Sequence, residues 1–205
     1  TEEGKTVTLD VPLASCKSMT WQDTVDGAMV IGGVENTLSI HGSLTLSEGM
    51  SWNSNGDLNF FGSGAKTLDL KGVNFAAYNV YLDDPDAIWT MVTDLSGNNT
   101  YLNVVRGGFE TDGNDLLVRR FISSNSNQRS ISLGNSDVTI IQFWFMSTTT
   151  NLDFDAGTST IHWNASNTYS FQASGLIFHD LDMSIDSGAA SLQGDMSFSH
   201  INKEG

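Results

Sequence analysis

The stretch LSIHGSLTL, residues 38–46, decides the fold of this chain. It holds two apolar–polar–apolar triplets, LSI and LTL, separated by a short His-Gly-Ser segment. Because successive side chains of a β-strand point to opposite faces, each triplet is expected to bury its outer residues and expose its middle one. The same triplet recurs at LNF 58–60, LDL 68–70, VNF 73–75, VYL 80–82, LNV 102–104, ISL 131–133, VTI 138–140, LDF 152–154, IHW 161–163, LDM 181–183 and MSF 196–198. The chain is therefore predicted to consist of many short strands.

The spacing of the triplets favours a coiled arrangement of these strands. Grouped in twos or threes, they give a turn of roughly 20 to 25 residues, which is a typical solenoid repeat, and about eight or nine coils. The dipeptides that favour tight hairpins occur only at Asp26-Gly27, Asn55-Gly56 and Asp112-Gly113. Helical periodicity is not sustained in any window. We predict one all-β domain over residues 1–205, a parallel β-helix, with a β-sandwich or jelly roll as the alternative.

The charge of the chain narrows the class of partner. Its 24 acidic residues against 9 basic ones give a formal charge of −15, which repels phosphate backbones and anionic lipid headgroups. Nucleic acid and membrane surfaces are therefore poor partners, whereas cations and neutral sugars are compatible. Cys16 is the one cysteine, so no internal disulfide can form.

The sequence shows no segment that would insert into a membrane and no domain boundary. No apolar run approaches the roughly 18 to 20 residues that span a bilayer, and the first residues do not read as a signal peptide. The chain starts at Thr1 without an initiator methionine, so we expect a processed piece of a larger protein. We expect the neighbouring domains of that polypeptide to be its first partners.

Five stretches carry a resemblance to a known group of proteins: ASCKSMTW (14–21), TLSIHGSLTLSEGMSW (37–52), residues 107–140, TNLDFDAGTSTIHW (150–163) and SGLIFHDLDM (174–183). In this order they resemble parallel β-helix segments of long secreted and surface proteins of Bacteroidetes-type bacteria. The resemblance implies a right-handed parallel β-helix, exported to the cell surface or the medium, often by the type IX route. It also implies an adhesin-like or unassigned function within a much larger polypeptide, and no catalytic residues.

Two acidic loops are the candidates for a metal site. Asp83, Asp84 and Asp86 lie in one loop, and Asp112 and Asp115 lie in another. Oxygen-rich loops can supply the ligands that calcium prefers. Aspartate is equally typical of turns, because it bonds its own backbone and tolerates left-handed conformations. Turns are the leading interpretation; structural calcium and a site like that of polysaccharide lyases are the alternatives. No cofactor is expected other than this possible calcium ion.

No motif of an enzyme is present. None of the four histidines lies in an HExxH or Cys/His pattern, and no G-x-S-x-G segment occurs. His162 occupies the middle position of the IHW triplet, where a surface histidine is expected. The chain is therefore predicted not to be an enzyme.

Outward-pointing aromatic residues are the candidates for ligand binding. Alternation places Tyr81 outward in VYL, and taking FWF 143–145 as a triplet places Trp144 outward. Sugars stack on such rings while neutral polar neighbours supply hydrogen bonds. The remaining tryptophans are predicted to point inward: Trp21, Trp52, Trp89 and Trp163.

The sequence as a whole predicts a non-enzymatic structural or interaction module of a secreted or cell-surface bacterial protein. Adhesion or contact with glycans or surface proteins is the expected role. The alternative is a carbohydrate-active enzyme of the β-helix type, such as a polysaccharide lyase, or a carbohydrate-binding module.

Overall fold

A computed structural model describes residues 6–22, 28–31, 33, 35–166, 169–187 and 189–204. In these ranges the chain is all-β, and every paired strand runs parallel to its partner. Parallel pairing throughout excludes the sandwich and the jelly roll. The strands are β1 (Thr6–Leu9), β2 (Leu13–Cys16), β3 (Met19–Thr20), β4 (Ala28–Ile31), β5 (Thr37–Ile40), β6 (Leu44–Thr45), β7 (Ser51–Phe60), β8 (Gly64–Asp69), β9 (Phe75–Met91), β10 (Leu95–Glu110), β11 (Leu116–Ile122), β12 (Arg129–Ser132), β13 (Asp137–Met146), β14 (Leu152–Asp155), β15 (Thr160–Ser166), β16 (Tyr169–Ala173), β17 (Leu176–Ser187), β18 (Ala190–Gln193) and β19 (Met196–Glu204).

Each coil crosses three faces, and the long strand β9 shows all of them. Residues 75–77 of β9 pair with one part of β7, residues 79–82 pair with another part of β7, and residues 87–91 pair with β8. We call the faces that contain these three segments the first, second and third face. Stacked in this way, the chain forms a right-handed parallel β-helix of about eight turns.

The interior is a set of apolar columns, one of which runs the whole length of the second face. Residues of this column pair directly in successive coils, and only the last of them is exposed: Ala14, Leu38, Leu58, Val80, Leu102, Phe121, Trp144, Phe171 and Leu192. The eight steps between these nine residues, at about 4.8 Å each, make a rod roughly 40 Å long. The predicted solenoid is therefore confirmed.

The triplets occupy this structure in the predicted orientation. The outer residues are buried in the central coils, for example Leu58 and Phe60 around the half-exposed Asn59. In LDF 152–154 and MSF 196–198 they are partly buried and pack against the same core. Trp21, Trp52, Trp89 and Trp163 all lie inside, as predicted.

The corner between the third and first faces is a repeated tight turn. An N–H donates to the carbonyl three residues earlier, over 2.9–3.3 Å, in five coils: Ser47–Met50, Leu70–Val73, Thr111–Asn114, Leu133–Ser136 and Ala156–Ser159. Asp112 (φ 50°) and Gly113 (φ 79°) are the two central residues of one of these turns, a conformation that Asp-Gly favours. The repeated turn sets the angle at which each coil passes to the next.

The corner between the first and second faces, which we call the first corner, varies in length instead. It is a single residue at Tyr78 and at Arg119, because Ala77 and Asn79, and Val118 and Arg120, already belong to the flanking ladders. It has two residues at Asn55-Gly56 and three at residues 98–100. Long corners therefore alternate with short ones along the rod, and they leave indentations between them.

Candidate ligand-binding surface

The outward positions of the second face form two parallel columns. Asn79, Tyr101, Arg120 and Phe143 follow one another in the first, which we call the Tyr101 column. The second, which we call the Tyr81 column, contains Asn59, Tyr81, Asn103, Ile122 and Phe145. The second face therefore carries aromatic, amide and guanidinium groups side by side.

Tyr81 lies outward, as predicted, between two asparagines. It is half-exposed, its chain neighbours Val80 and Leu82 are buried, and Asn59 and Asn103 face it in the adjacent coils. The amide of Asn103 donates to the carbonyls of Val80 (3.2 Å) and Tyr101 (3.0 Å), which fixes its position. No other aromatic ring stacks on Tyr81 among the described residues. One ring flanked by two amides is thus available to a ligand.

The pKa of the Tyr81 hydroxyl is raised, first by partial burial and then by the negative charge of Asp57. The pKa of Tyr101 is also raised, mainly by burial and by a hydrogen bond with Tyr78. Both phenols are therefore neutral at pH 7, and each can donate and accept a hydrogen bond.

The two rings of the Tyr101 column pack against neighbouring side chains. Tyr78 and Tyr101 have centroids 4.7 Å apart, and the guanidinium of Arg120 lies 4.2 Å from the Tyr101 ring and 4.9 Å from that of Phe143. Phe143 in turn meets Tyr169 edge to face at 5.1 Å. Cation–π and aromatic contacts of this kind stabilise and order the side chains. Neighbouring side chains therefore cover most ring faces of the Tyr101 column, and the column forms an ordered surface beside Tyr81.

Gln142 connects the Tyr101 column to the core. It is buried, its Oε1 accepts from Nε of Arg120 at 3.0 Å, and its Nε2 donates to the Tyr169 hydroxyl at 3.0 Å. Its backbone carbonyl accepts from the indole N–H of Trp163, also at 3.0 Å. A buried amide with all of these partners is satisfied, and it fixes the position of the guanidinium.

The prediction that Trp144 points outward is wrong. Trp144 is 0 % exposed and lies between Phe121 and Phe171, with centroids at 4.8 and 5.3 Å and nearly parallel rings. The reason is that β13 keeps one alternation over its whole length, with residues 138, 140, 142, 144 and 146 all inward. Because residue 142 is a glutamine, the FWF segment looks like a new triplet with its tryptophan in the middle. The outward aromatics are instead Phe143 and Phe145, which the sequence reasoning missed.

The carboxylates of the first acidic loop are engaged in the corner itself. Asp83 pairs with Nε of Arg106 at 2.6 Å, which raises the pKa of that guanidinium. Asp84 accepts the N–H of Asp86 at 3.0 Å with one oxygen and the N–H of Gly62 at 2.9 Å with the other. Asp86 is exposed. These contacts are those of a turn.

The second acidic loop is used in a similar way. Asp112 occupies the tight turn described above, and Asp115 accepts the N–H of Asp137 at 3.1 Å. Its own N–H donates to Asp94 at 2.8 Å, so that each aspartate joins one coil to the next. Within the described ranges, no three His, Cys, Asp or Glu residues are grouped so that they could hold a metal ion. The calcium hypothesis for these loops stays a prediction.

Two of the histidines, His162 and His200, lie at the surface near aspartates. His162 is half-exposed, 3.4 Å from Asp137 and 3.5 Å from Asp182, and Nδ1 of His200 lies 2.8 Å from Asp180. In the part of the chain that the structure describes, no serine or threonine hydroxyl is hydrogen-bonded to a histidine ring. Among the described residues, these contacts join histidine to aspartate and do not assemble a nucleophile with its base.

Comparison with known proteins gives no relative to guide the assignment: no protein family matches the chain, and no similar curated protein or solved structure was found. The resemblance to exported β-helix proteins therefore stays a prediction. Among the described residues there is also no helix with the length and apolarity to cross a membrane.

Proposed function

We propose that this β-helix is a non-enzymatic structural and interaction module, part of a secreted or cell-surface protein, which contacts neutral sugars through the second face. The observation that carries the proposal is Tyr81, an unstacked ring that lies outward between Asn59 and Asn103. A sugar can stack its apolar C–H face on this ring while the amides bond its hydroxyls.

The surroundings of Tyr81 favour a neutral ligand. Its neighbours in the same outer column are amides, Ile122 and Phe145, and the chain as a whole carries a charge of −15. Long polyanions are therefore repelled, and neutral chains are not. The rod-like scaffold, about 40 Å long, would hold this face away from neighbouring domains of the same polypeptide.

The proposal is tested by binding of the purified chain to an array of glycans, followed by titration calorimetry with the best neutral ligand. We expect Tyr81→Ala to weaken binding by at least about fivefold, because truncating an aromatic anchor costs about 1 kcal/mol or more. Its control is Phe61→Ala, which removes a half-exposed ring from another corner of the solenoid.

Four results bear on the proposal. Loss of binding in Tyr81→Ala with an unchanged melting temperature supports it. Equal loss in Phe61→Ala, or no neutral glycan bound at all, would contradict it. Release of reducing or unsaturated ends from any bound polysaccharide would contradict the non-enzymatic part.

A further inference from the structure

The first corner contains a cleft whose lining differs from the rest of the surface. It has a volume of about 130 Å³ and is lined by Asn53, Asn55, Tyr78, Asn99 and Arg119, together with two small residues. No aspartate or glutamate lines it, although the chain has 24 of them. A local site without negative charge, in a strongly acidic protein, suits a ligand that carries one.

The cleft is built by the unequal corner lengths. Tyr78 and Arg119 are the one-residue corners of their coils, and the three-residue corner at 98–100 bulges between them. On the other side of Tyr78, the two-residue corner at Asn55-Gly56 also projects. Irregularities of this kind re-aim side chains beside functional sites. Here they place Tyr78 and Arg119 on either side of Asn99.

Arg119 has no competing partner in the described structure. The two lysine or arginine side chains that pair with carboxylates there are Lys71 and Arg106, whereas Arg119 forms no ion pair. Its neighbour Arg120 is already held between two rings and by Gln142. A half-exposed, unpaired guanidinium binds a carboxylate through two parallel hydrogen bonds.

The remaining groups of the cleft suit the rest of a sugar. Tyr78 is 42 % exposed, and its only aromatic neighbour among the described residues is Tyr101, whose ring is tilted by 41° to it. The side-chain amides of Asn53, Asn55 and Asn99 can each donate to and accept from sugar hydroxyls. Aromatic face, amides and cation are thus combined within one small cleft.

We propose that this first-corner cleft binds the carboxylate of a uronic acid, so that the glycan held by the second face is a chain of neutral sugars with an occasional acidic one. This inference rests on the proposed function, because the cleft adjoins the Tyr101 column through Tyr78. Arg119 binds the carboxylate, the asparagines bind hydroxyls, and Tyr78 supports the ring.

The test compares two probes that differ at the carboxyl group alone: a trisaccharide of two neutral sugars and one glucuronic acid, and its uncharged methyl ester. By titration calorimetry we expect the acid to bind at least about tenfold more tightly than the ester, as hydrogen bonds to charged groups predict. Arg119→Gln should abolish this difference and Arg119→Lys should keep part of it. Lys17→Gln, which removes an exposed charge from the first coil, should leave it unchanged.

The outcomes separate this inference from the proposed function. Equal affinities for acid and ester, both lost in Tyr81→Ala, would overturn the cleft and leave the neutral-sugar face standing. A preference for the acid that Arg119→Gln removes, together with affinities for both probes that Tyr81→Ala leaves unchanged, would support the cleft and contradict the role of Tyr81. No binding of either probe would overturn both. Tighter binding of a sulfated trisaccharide than of the uronate would overturn the choice of carboxylate.

Discussion

Single residues in this protein are assigned to the core or the surface by the parity of their position within a strand. Gln142 shows how one residue can obscure this alternation in the sequence. A polar residue at an inward position interrupts the apolar pattern, so that the strand is predicted to end there although it continues. Its hydrogen bonds with Arg120, Tyr169 and Trp163 satisfy it without altering the alternation. The residues on either side of Trp144 therefore differ from it sharply in burial.

Trp144→Ala and Phe145→Ala make a matched test of this assignment. Trp144→Ala should destabilise the chain by about 3–5 kcal/mol, because it leaves a cavity between Phe121 and Phe171. Phe145→Ala removes a half-exposed ring one position away and should cost less than about 1.5 kcal/mol. Both losses of stability are measured by urea unfolding, monitored by far-ultraviolet circular dichroism of the backbone instead of by tryptophan fluorescence. A larger loss for Phe145 would reverse the alternation in β13.

At the scale of strands and corners, the strands follow from the sequence and the corners do not. The triplets LNF 58–60 and VYL 80–82 fix which side chains point inward, because the period of two leaves no other choice. Nothing local distinguishes the one-residue corner at Tyr78 from the three-residue corner at 98–100, since both depend on the coil stacked beside them. The cleft around Arg119 arises from that difference, and so it could not be read from spacing alone, whereas Tyr81 could.

The corner between the second and third faces is held in two coils by a buried arginine. Arg129 is 2 % exposed, and its guanidinium donates to the carbonyls of Asn125, Asn127 and Thr148 and to the hydroxyl of Ser123. Burial lowers its pKa, but no acidic side chain is needed because backbone oxygens solvate the charge. The alternation of ISL 131–133, extended back by two residues, also predicts that Arg129 points inward.

Arg129→Met should therefore lower stability by at least about 2 kcal/mol, because several buried carbonyls lose their donor. Arg106→Met is the control: it removes a guanidinium whose partner, Asp83, stays in contact with water, and we expect a smaller loss. Thermal melts of the two variants decide between these expectations. If Arg106→Met were the more damaging change, the buried hydrogen bonds of Arg129 would not be what stabilises the corner.

On the scale of the whole molecule, stability is distributed along a column in which each coil contacts its neighbours. The carboxylates of the acidic loops contribute to this by bonding to adjacent coils, as Asp84 does to Gly62 and Asp115 does to Asp137. These hydrogen bonds already join the acidic loops to the adjacent coils, so that no bound cation is needed for that purpose. The fold should then be independent of metal.

Removal of divalent cations tests this view of the acidic loops. Dialysis against a chelator should shift the melting temperature by less than about 2 °C, which for a chain of this size is under about 1 kcal/mol. A ligand that binds only the folded state would produce a larger shift. A drop that calcium reverses and magnesium does not would instead establish calcium binding and contradict this prediction.

The parallel ladders have a mechanical consequence. Backbone hydrogen bonds between coils point along the axis of the rod, so that a pull on its two ends loads them in tension, one coil boundary at a time. A coil that peels away, such as the one from Leu58 to Val80, releases 22 residues, or roughly 70–80 Å of extended chain. Under load the module would therefore lengthen stepwise, one coil at a time.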